Sequence, residues 1–429
     1  MKTWIKYFLT SMFLVLFLVG MAQTTDDRDL QYFRTPGKKG INVFETSKDN
    51  SVEFTGVTTR LGGDFSMIFQ GLKQSNDFAA DPLIDLSNNF QLPTANLNVD
   101  VQLEDGLRMH LRTYLSSRHH TESYVKGGYI QMDKLDFISP GLFSGLMENA
   151  TIRVGMDQFN YGDAHFRRSD NSMSIYNPFI GNYIMDAFST EPFMELTYQA
   201  SGFIGVAGIT NGRLNQSPTS GDNGFAFFGK VGYDNQINDG LRIRLTGSLY
   251  SSSDQGTRDY IYGGDRAGGR YFVMGSEVGG ADDFGGRFNP RYPYQTAIQI
   301  NPFVKAGGFE FFGIYEIITN ADDNPDNEGG GANLNGGFNQ VAAEALYRLG
   351  ANEKLYFGGR YNKISGELYD GSETSEISRV NFGGGFFMTD NVLVKLEYVK
   401  QKYEGDGWVG SKFEGAKFNG VNVEAVISF

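Results

Sequence analysis

The chain ends in the stretch GVNVEAVISF, residues 420–429. One parity of this stretch is apolar throughout: Val421, Val423, Ala425, Ile427 and Phe429. The other parity is polar except at Val426, and it carries Asn422, Glu424 and Ser428. Strict alternation predicts a β-strand that has one apolar and one polar face. The strand ends on an aromatic side chain at the last residue of the chain.

This terminal strand resembles the C-terminal signal of Gram-negative outer-membrane β-barrels, in which a terminal Phe or Trp is read by the barrel-assembly machinery. The resemblance implies that the apolar face contacts lipid and that the polar face lines a water-filled lumen. It also implies that Phe429 is an assembly signal. The expected partners are the barrel-assembly machinery and the outer-membrane lipid with its lipopolysaccharide.

The N-terminus has the pattern of a secretory signal peptide. Lys2 and Lys6 precede an apolar stretch from Phe8 to Val19, and small residues follow up to Ala22. A basic start, a short apolar run and small residues at the end are typical of a cleaved leader. We therefore expect residues 1–22 to be removed and the protein to be exported to the cell outer membrane.

Composition narrows the function further. The formal charge is −13, and removal of the two leader lysines would make it −15, which argues against nucleic-acid binding. The chain has no cysteine, which rules out disulfides, thiol catalysis and a lipoprotein anchor. It has 56 glycines but only 11 prolines, and 14% of its residues are aromatic. These values favour a barrel with tight turns and aromatic girdles over a disordered chain.

Candidate strands of about ten residues recur through the mature chain, and their connectors alternate between short and long. Counting back from Phe429 gives about 16 strands. The alternative is about 18 strands, which applies if Gly62-Gly63 forms a hairpin turn. The predicted fold is therefore all-β: a transmembrane antiparallel β-barrel over residues 51–429, with short periplasmic turns and long external loops. Residues 23–50 lack alternation and are predicted to be a periplasmic N-terminal extension or a lumen segment.

The parity of the strands predicts which cations face the lumen. Arg or Lys facing lipid near the membrane midplane costs about 2–4 kcal/mol, so the basic parity of each strand must point inward. We expect the strand after Gly106 to line the lumen with Arg108, His110 and Arg112. The strand after Gly240 contributes Arg242 and Arg244, and Arg153 is placed inside by the same argument.

The long connector 160–191 joins the fifth and sixth predicted strands, where general porins place the loop that narrows the barrel. Its segments GDAHFRRSDN, residues 162–171, and NPFIGNYIMDAF, residues 177–188, resemble a stretch of porins of the Bacteroidota type. The resemblance implies an outer-membrane diffusion channel that assembles as an oligomer, such as a homotrimer. We expect this loop to form the constriction and to bring His165, Arg167 and Arg168 into the pore.

The predicted function is passive diffusion of small hydrophilic solutes, with a preference for anions because arginine rings favour them. One alternative is a substrate-specific channel for phosphate, organic anions or oligosaccharide. The other is a structural or adhesive barrel without an open pore. We expect no enzyme activity, no cofactor and no metal site. His119-His120 lacks the facing geometry of a zinc site, and the acidic loop at Asp322 lacks the Gly and Glu of a calcium loop.

Overall fold

The computed structural model describes residues 30–116, 123–212, 225–252, 261–263, 267–280, 283–290, 294–320 and 336–429. The predicted leader, His119-His120 and the acidic loop at Asp322 lie outside these residues. Within them, sixteen long strands form one sheet. They are β1 Thr58–Ser75, β2 Thr94–Glu104, β3 Leu107–Ser116, β4 Ser123–Met132, β5 Ala150–Gln158, β6 Thr190–Ala200, β7 Phe203–Thr210, β8 Ala226–Asn238, β9 Leu241–Ser252, β10 Gln295–Ala306, β11 Phe309–Asn320, β12 Gly337–Leu349, β13 Leu355–Glu367, β14 Ser375–Thr389, β15 Val392–Glu404 and β16 Lys417–Ser428.

Each long strand pairs antiparallel with the next, and the first pairs with the last, so the sheet closes into a barrel. The closing seam runs from Asp64 opposite Ser428 to Ser75 opposite Lys417. The all-β barrel of 16 strands is thus confirmed. The alternative of 18 strands is wrong, because Gly62-Gly63 lies inside β1 and pairs with β2 rather than forming a turn. β1 begins at Thr58 and not at Ser51, the start predicted from the sequence.

The connectors alternate in length as predicted. Short turns follow β2, β6, β8, β10, β12 and β14, and the connector 133–149 after β4 is longer and includes a short helix, Ser144–Met147. At the opposite end of the barrel, long loops include residues 76–93, 159–189 and 405–416. Among the described residues, no helix combines the length and apolarity needed to cross a membrane.

Side chains alternate between the two faces of the wall. In β12, Gln340, Glu344 and Arg348 are buried inside the barrel, whereas Val341 and Tyr347 are exposed on its outside. β16 alternates in the same way, with Glu424 inside and Ile427 outside. An outer face covered with exposed apolar side chains is stable only against lipid, since in water it would be a large apolar surface exposed to solvent.

Pro302 lies within β10, although proline cannot donate a ladder hydrogen bond. The ladder with β11 is interrupted there: Ile300 pairs with Tyr315, and the next pair joins Phe303 to Phe312. Gly313 faces the ring, and a Cβ at this glycine would lie 2.9 Å from the Pro302 Cγ. The missing side chain of Gly313 therefore makes room for the proline in the wall.

Candidate functional site

The loop of residues 159–189, here called the inward loop, folds into the barrel, and most of its residues are buried. Side chains of the barrel wall accept hydrogen bonds from its backbone amides. Glu397 of β15 accepts hydrogen bonds from the amides of Ile180 and Gly181, at 2.9 and 3.2 Å. The Asn362 side chain accepts a hydrogen bond from the amide of Ile184 at 2.6 Å. Buried amides need partners, and the lumen wall supplies them because the loop forms no sheet.

The carbonyl groups of the inward loop are bound by cations of the wall. Lys395 of β15 donates to the carbonyls of Ser174, Asn177 and Phe179 at 2.9, 3.2 and 3.0 Å. Arg360 of β13 donates to the Gly181 carbonyl at 2.7 Å. Charged side chains on the inner face of the wall therefore hold the loop in place.

Arg167 joins the inward loop to two carboxylates of the wall. Its Nη2 lies 2.6 Å from Glu310 of β11 and 2.6 Å from Glu344 of β12. Arg348 also bonds Glu310, and Arg360 also bonds Glu344, so arginines and glutamates alternate in one buried chain. Burial alone would lower the pKa of Arg167, but Glu310 and Glu344 outweigh it and raise that pKa. Arg167 thus remains charged and anchors the loop.

Arg168 bonds an acid of the inward loop itself. Its Nε and Nη2 bond the Asp186 carboxylate at 2.6–3.0 Å, and its guanidinium lies 4.0 Å from the Phe188 ring centroid. The adjacent arginines Arg167 and Arg168 therefore differ in role: the first ties the loop to the wall, and the second ties two ends of the loop together.

Arg242 and Arg244 of β9 face inward and are paired with acids. Arg242 bonds Asp234 at 2.7 Å. Arg244 bonds Asp163 of the inward loop at 2.8 Å and Glu45 at 2.7 Å. Burial alone would raise the pKa of Glu45, but Arg244 and Lys230 overcome this and lower it to about 2.

Residues 30–57, here called the N-terminal segment, contact side chains on the lumen side of the wall. The Gln31 amide donates to Gln102 of β2 at 3.0 Å. Asn42 donates to Glu310 at 2.7 Å, and Lys48 pairs with Asp133 at 3.1 Å. The described part of this segment thus contacts the inner face of the barrel, and the predicted N-terminal extension, residues 23–50, stays a prediction.

A cavity of about 210 Å³ remains between the N-terminal segment, the inward loop and strands β1–β6. Five of the residues predicted to line the lumen meet on its wall: Arg108, His110, Arg112, Arg153 and His165. The other four predicted residues, Arg167, Arg168, Arg242 and Arg244, lie outside the cavity wall, in the ion-pair clusters described above.

Three basic side chains on the cavity wall are held by carboxylates. His110 Nδ1 lies 2.7 Å from Asp100, Arg112 bonds Asp170 at 2.8 Å, and Arg153 bonds Glu195 at 2.9 Å. Each pair joins a basic side chain of the wall to an acid of a neighbouring strand or of the inward loop. Such pairs fix the shape of the wall and contribute little net charge to the cavity.

Arg34, Arg60 and Arg108, which also line the cavity, lack such a close carboxylate partner among the described residues. The nearest ion pair among them joins Arg108 to Asp100 at 4.0 Å, and within the described chain no Asp or Glu lies within 4 Å of Arg34 or Arg60. Arg60 shares the inward parity of Asp64 in β1, so counting parity along that strand could have found it. Arg34 lies in the N-terminal segment, where no periodic signal exists.

A second, much smaller void of about 10 Å³ is adjacent to the cavity, and Gln158 and His165 line both. Phe188 and Ile261 line its other sides. A void of this size holds about one water molecule. His165, whose Nδ1 has no hydrogen-bond partner among the described residues, thus lies between the cavity and this void.

Phe429 lies at the seam of the barrel with its side chain 54% exposed on the outer face. Its amide donates to the Gly63 carbonyl at 3.0 Å, and the Gly63 amide donates back at 3.0 Å. The backbone of the last residue thus closes the ladder, while its ring stays available to a partner.

We expect Phe429→Ala to lower the amount of assembled barrel in the outer membrane at least several-fold and to leave refolding of the purified chain in detergent unchanged. The substitution removes the exposed ring but keeps both backbone hydrogen bonds to Gly63. Heat-modifiable migration on gels measures both quantities. Phe429→Trp is the control and should assemble normally; equal assembly of Phe429→Ala would show that the ring is not an assembly signal.

Among the described residues, no group of three or more His, Asp or Glu side chains is arranged to hold a metal ion. No family model and no curated protein sequence matches the chain. Solved structures do match it. OmpT, an outer membrane protein of Vibrio cholerae, is 12% identical with a TM-score of 0.51, and the match covers 88% of this chain and 99% of that one.

Two further solved structures have the same fold. The outer membrane channel DcaP of Acinetobacter baumannii is 12% identical with a TM-score of 0.51, over 88% of this chain and 99% of that one. An anion-selective porin from Comamonas acidovorans is 13% identical with a TM-score of 0.51, over 87% and 100%. These likenesses define the class of the fold, a porin-like outer-membrane β-barrel. The resemblance to porins of the Bacteroidota type stays a prediction.

Proposed function

We propose that the protein is an outer-membrane channel through which small hydrophilic solutes diffuse, with a preference for anions. The observation that carries this proposal is the arginine-lined cavity inside a closed barrel whose outer face is apolar. Solutes that cross the barrel would pass the cavity and the small void beside His165. The signal-peptide pattern supports export to the outer membrane.

The preference for anions follows from three arginines of the cavity wall that have no Asp or Glu closer than 4.0 Å among the described residues. Arg34, Arg60 and Arg108 carry guanidinium groups, which bind carboxylates and phosphates well. A narrow lumen of low dielectric strengthens their attraction for anions. The acidic total of −13 does not oppose this, because lumen acids such as Glu310 and Glu344 are already paired with arginine.

Planar-bilayer recording of the purified protein in a KCl gradient tests the proposal. We expect stable single-channel steps and a reversal potential of the sign for chloride preference, which moves toward zero in Arg108→Gln. The matched control is Lys305→Gln. Lys305 lies at the end of β10, outside the cavity, and is paired with Glu353. A clear cation preference of the native protein would refute the anion preference.

A second candidate is a structural or adhesive barrel without an open pore. The observation that favours it is the extent to which the inward loop and the N-terminal segment fill the lumen. Absence of single-channel steps from correctly folded protein would support this candidate over the channel. A trimeric assembly is compatible with either function, and one of the OmpT structures is described as a trimer form.

A further inference from the structure

We propose that Arg34, Arg60 and Arg108 form a binding site for the carboxylate of a small organic acid with an aromatic or similarly apolar body. This inference rests on the proposed channel function and names its solute class. The three side chains come from the N-terminal segment, β1 and β3, and all three line the cavity of about 210 Å³.

Buried donors on the cavity wall lack partners. Arg108 is 4% exposed, and its Nη2 donates to Gln131 at 2.6 Å. Its Nε and Nη1 have no hydrogen-bond partner among the described residues. A buried charged donor without a partner is unfavourable, so an acceptor in the cavity is favoured.

Three arginines of the cavity wall have no close carboxylate partner among the described residues. No carboxylate lies closer than 4.0 Å to Arg108, and Arg34 and Arg60 have no Asp or Glu within that distance in the described chain. A guanidinium binds a carboxylate through two parallel hydrogen bonds. Five acids also line the cavity, and their charges oppose a dianion more than a monoanion; they are Glu45, Asp64, Asp100, Asp157 and Glu195. The site therefore favours a monocarboxylate over doubly charged phosphate.

The walls of the cavity favour an apolar body on that carboxylate. The Phe33 ring centroid lies 5.3 Å from the Arg60 guanidinium and 5.6 Å from the Arg108 guanidinium. The ring of Tyr129, on β4, also lies 5.6 Å from the Arg108 guanidinium. Phe44, Phe166, Met173 and Tyr176 complete the apolar surface. An apolar cavity of about 150 Å³ accepts one benzene molecule in other proteins, so this larger cavity has room for a benzoate-sized acid.

Isothermal titration calorimetry of the purified full-length protein in detergent, with benzoate as the probe, tests this site. We expect saturable binding of benzoate, with benzamide and acetate at least tenfold weaker because each lacks the charge or the ring. Phosphate should also bind at least tenfold more weakly. Arg108→Gln and Arg60→Gln should each weaken benzoate binding at least tenfold, and Lys305→Gln should leave it unchanged.

Equal affinities for benzoate and benzamide, or unchanged binding in both arginine variants, would overturn the inference. Heat-modifiable migration establishes that each variant is folded, and Arg60→Gln, near the start of β1, serves if Arg108→Gln does not fold. Failure of this inference differs from failure of the channel. Anion conductance without benzoate binding would contradict the binding site alone. Benzoate binding without conductance would contradict the channel function and support the binding site.

Discussion

Arg167→Met is expected to release the inward loop from the wall and to increase single-channel conductance several-fold. The substitution leaves Glu310 and Glu344 buried with one cation fewer between them. Removing one partner of a buried ion pair costs about 3–5 kcal/mol. That cost falls on the docked position of the loop, because the backbone ladder of the barrel does not depend on Arg167. Planar-bilayer recording measures the conductance.

Two other variants separate anchoring from a general loss of charge. Arg168→Met breaks the pair with Asp186 inside the loop and should make the current noisier, with a smaller rise in mean conductance. Lys363→Met removes a half-exposed pair with Glu376 on the rim and should change nothing, since such pairs contribute about 0–1 kcal/mol. A conductance of Arg167→Met equal to that of the native protein would show that the loop stays docked without this anchor.

Acidification from pH 7.5 to 5.5 is expected to raise the frequency of loop release, and His165→Gln should abolish this response. Burial, together with the charge of Lys230, lowers the pKa of His165 well below its usual value, although Asp163 and Glu45 oppose the shift. The docked loop therefore keeps His165 neutral, whereas the released loop exposes an imidazole of ordinary pKa, about 6.5.

The direction of the effect follows from proton binding. Below about pH 6.5 the released loop binds the additional proton, so docking weakens as pH falls, by at most about 1.4 kcal/mol per pH unit. The ratio of released to docked loop should thus rise up to about tenfold between pH 7.5 and 5.5, and about half of that factor falls between pH 6.5 and 5.5. Above about pH 7.5 the contribution of His165 is nearly constant.

The neighbouring acids act in a separate pH window. The pKa of Glu45 is about 2, below its ordinary value, so its contribution is present above about pH 4.5 and is lost only as pH falls toward 2. Recordings between pH 5.5 and 7.5 therefore exclude a contribution from Glu45, and the comparison with His165→Gln identifies the part that is due to His165. An acid response that persists unchanged in His165→Gln would assign the effect to another group.

The wall of the barrel was predictable from the sequence because its signals are local. Alternation in stretches such as 417–429 and 337–349 gives both the strand and the face of each side chain, since lipid excludes one parity of charge. The position of the inward loop between β5 and β6 follows from counting strands. Gly62-Gly63 was ambiguous because a glycine pair is compatible with a turn and with a strand.

The contents of the lumen were not predictable in the same way. The pairing of Arg167 with Glu310 and Glu344 joins residues 143 and 177 positions apart, and no spacing along the chain indicates it. Arg34 depends on a segment without periodicity that folds only against the finished wall. The sequence thus identified inward arginines but not which of them are neutralised, and that difference decides where a solute anion can bind.

The seam between β1 and β16 has a consequence for the order of folding. Its pairs join residues as far apart as Asp64 and Ser428, so the loop of chain that must be closed spans nearly the whole barrel. Contacts of such sequence separation form slowly because their entropy cost comes before their gain. β1 has no permanent partner on one side until the final strand has been synthesised and exported. Before that moment its open edge needs protection against pairing with other chains.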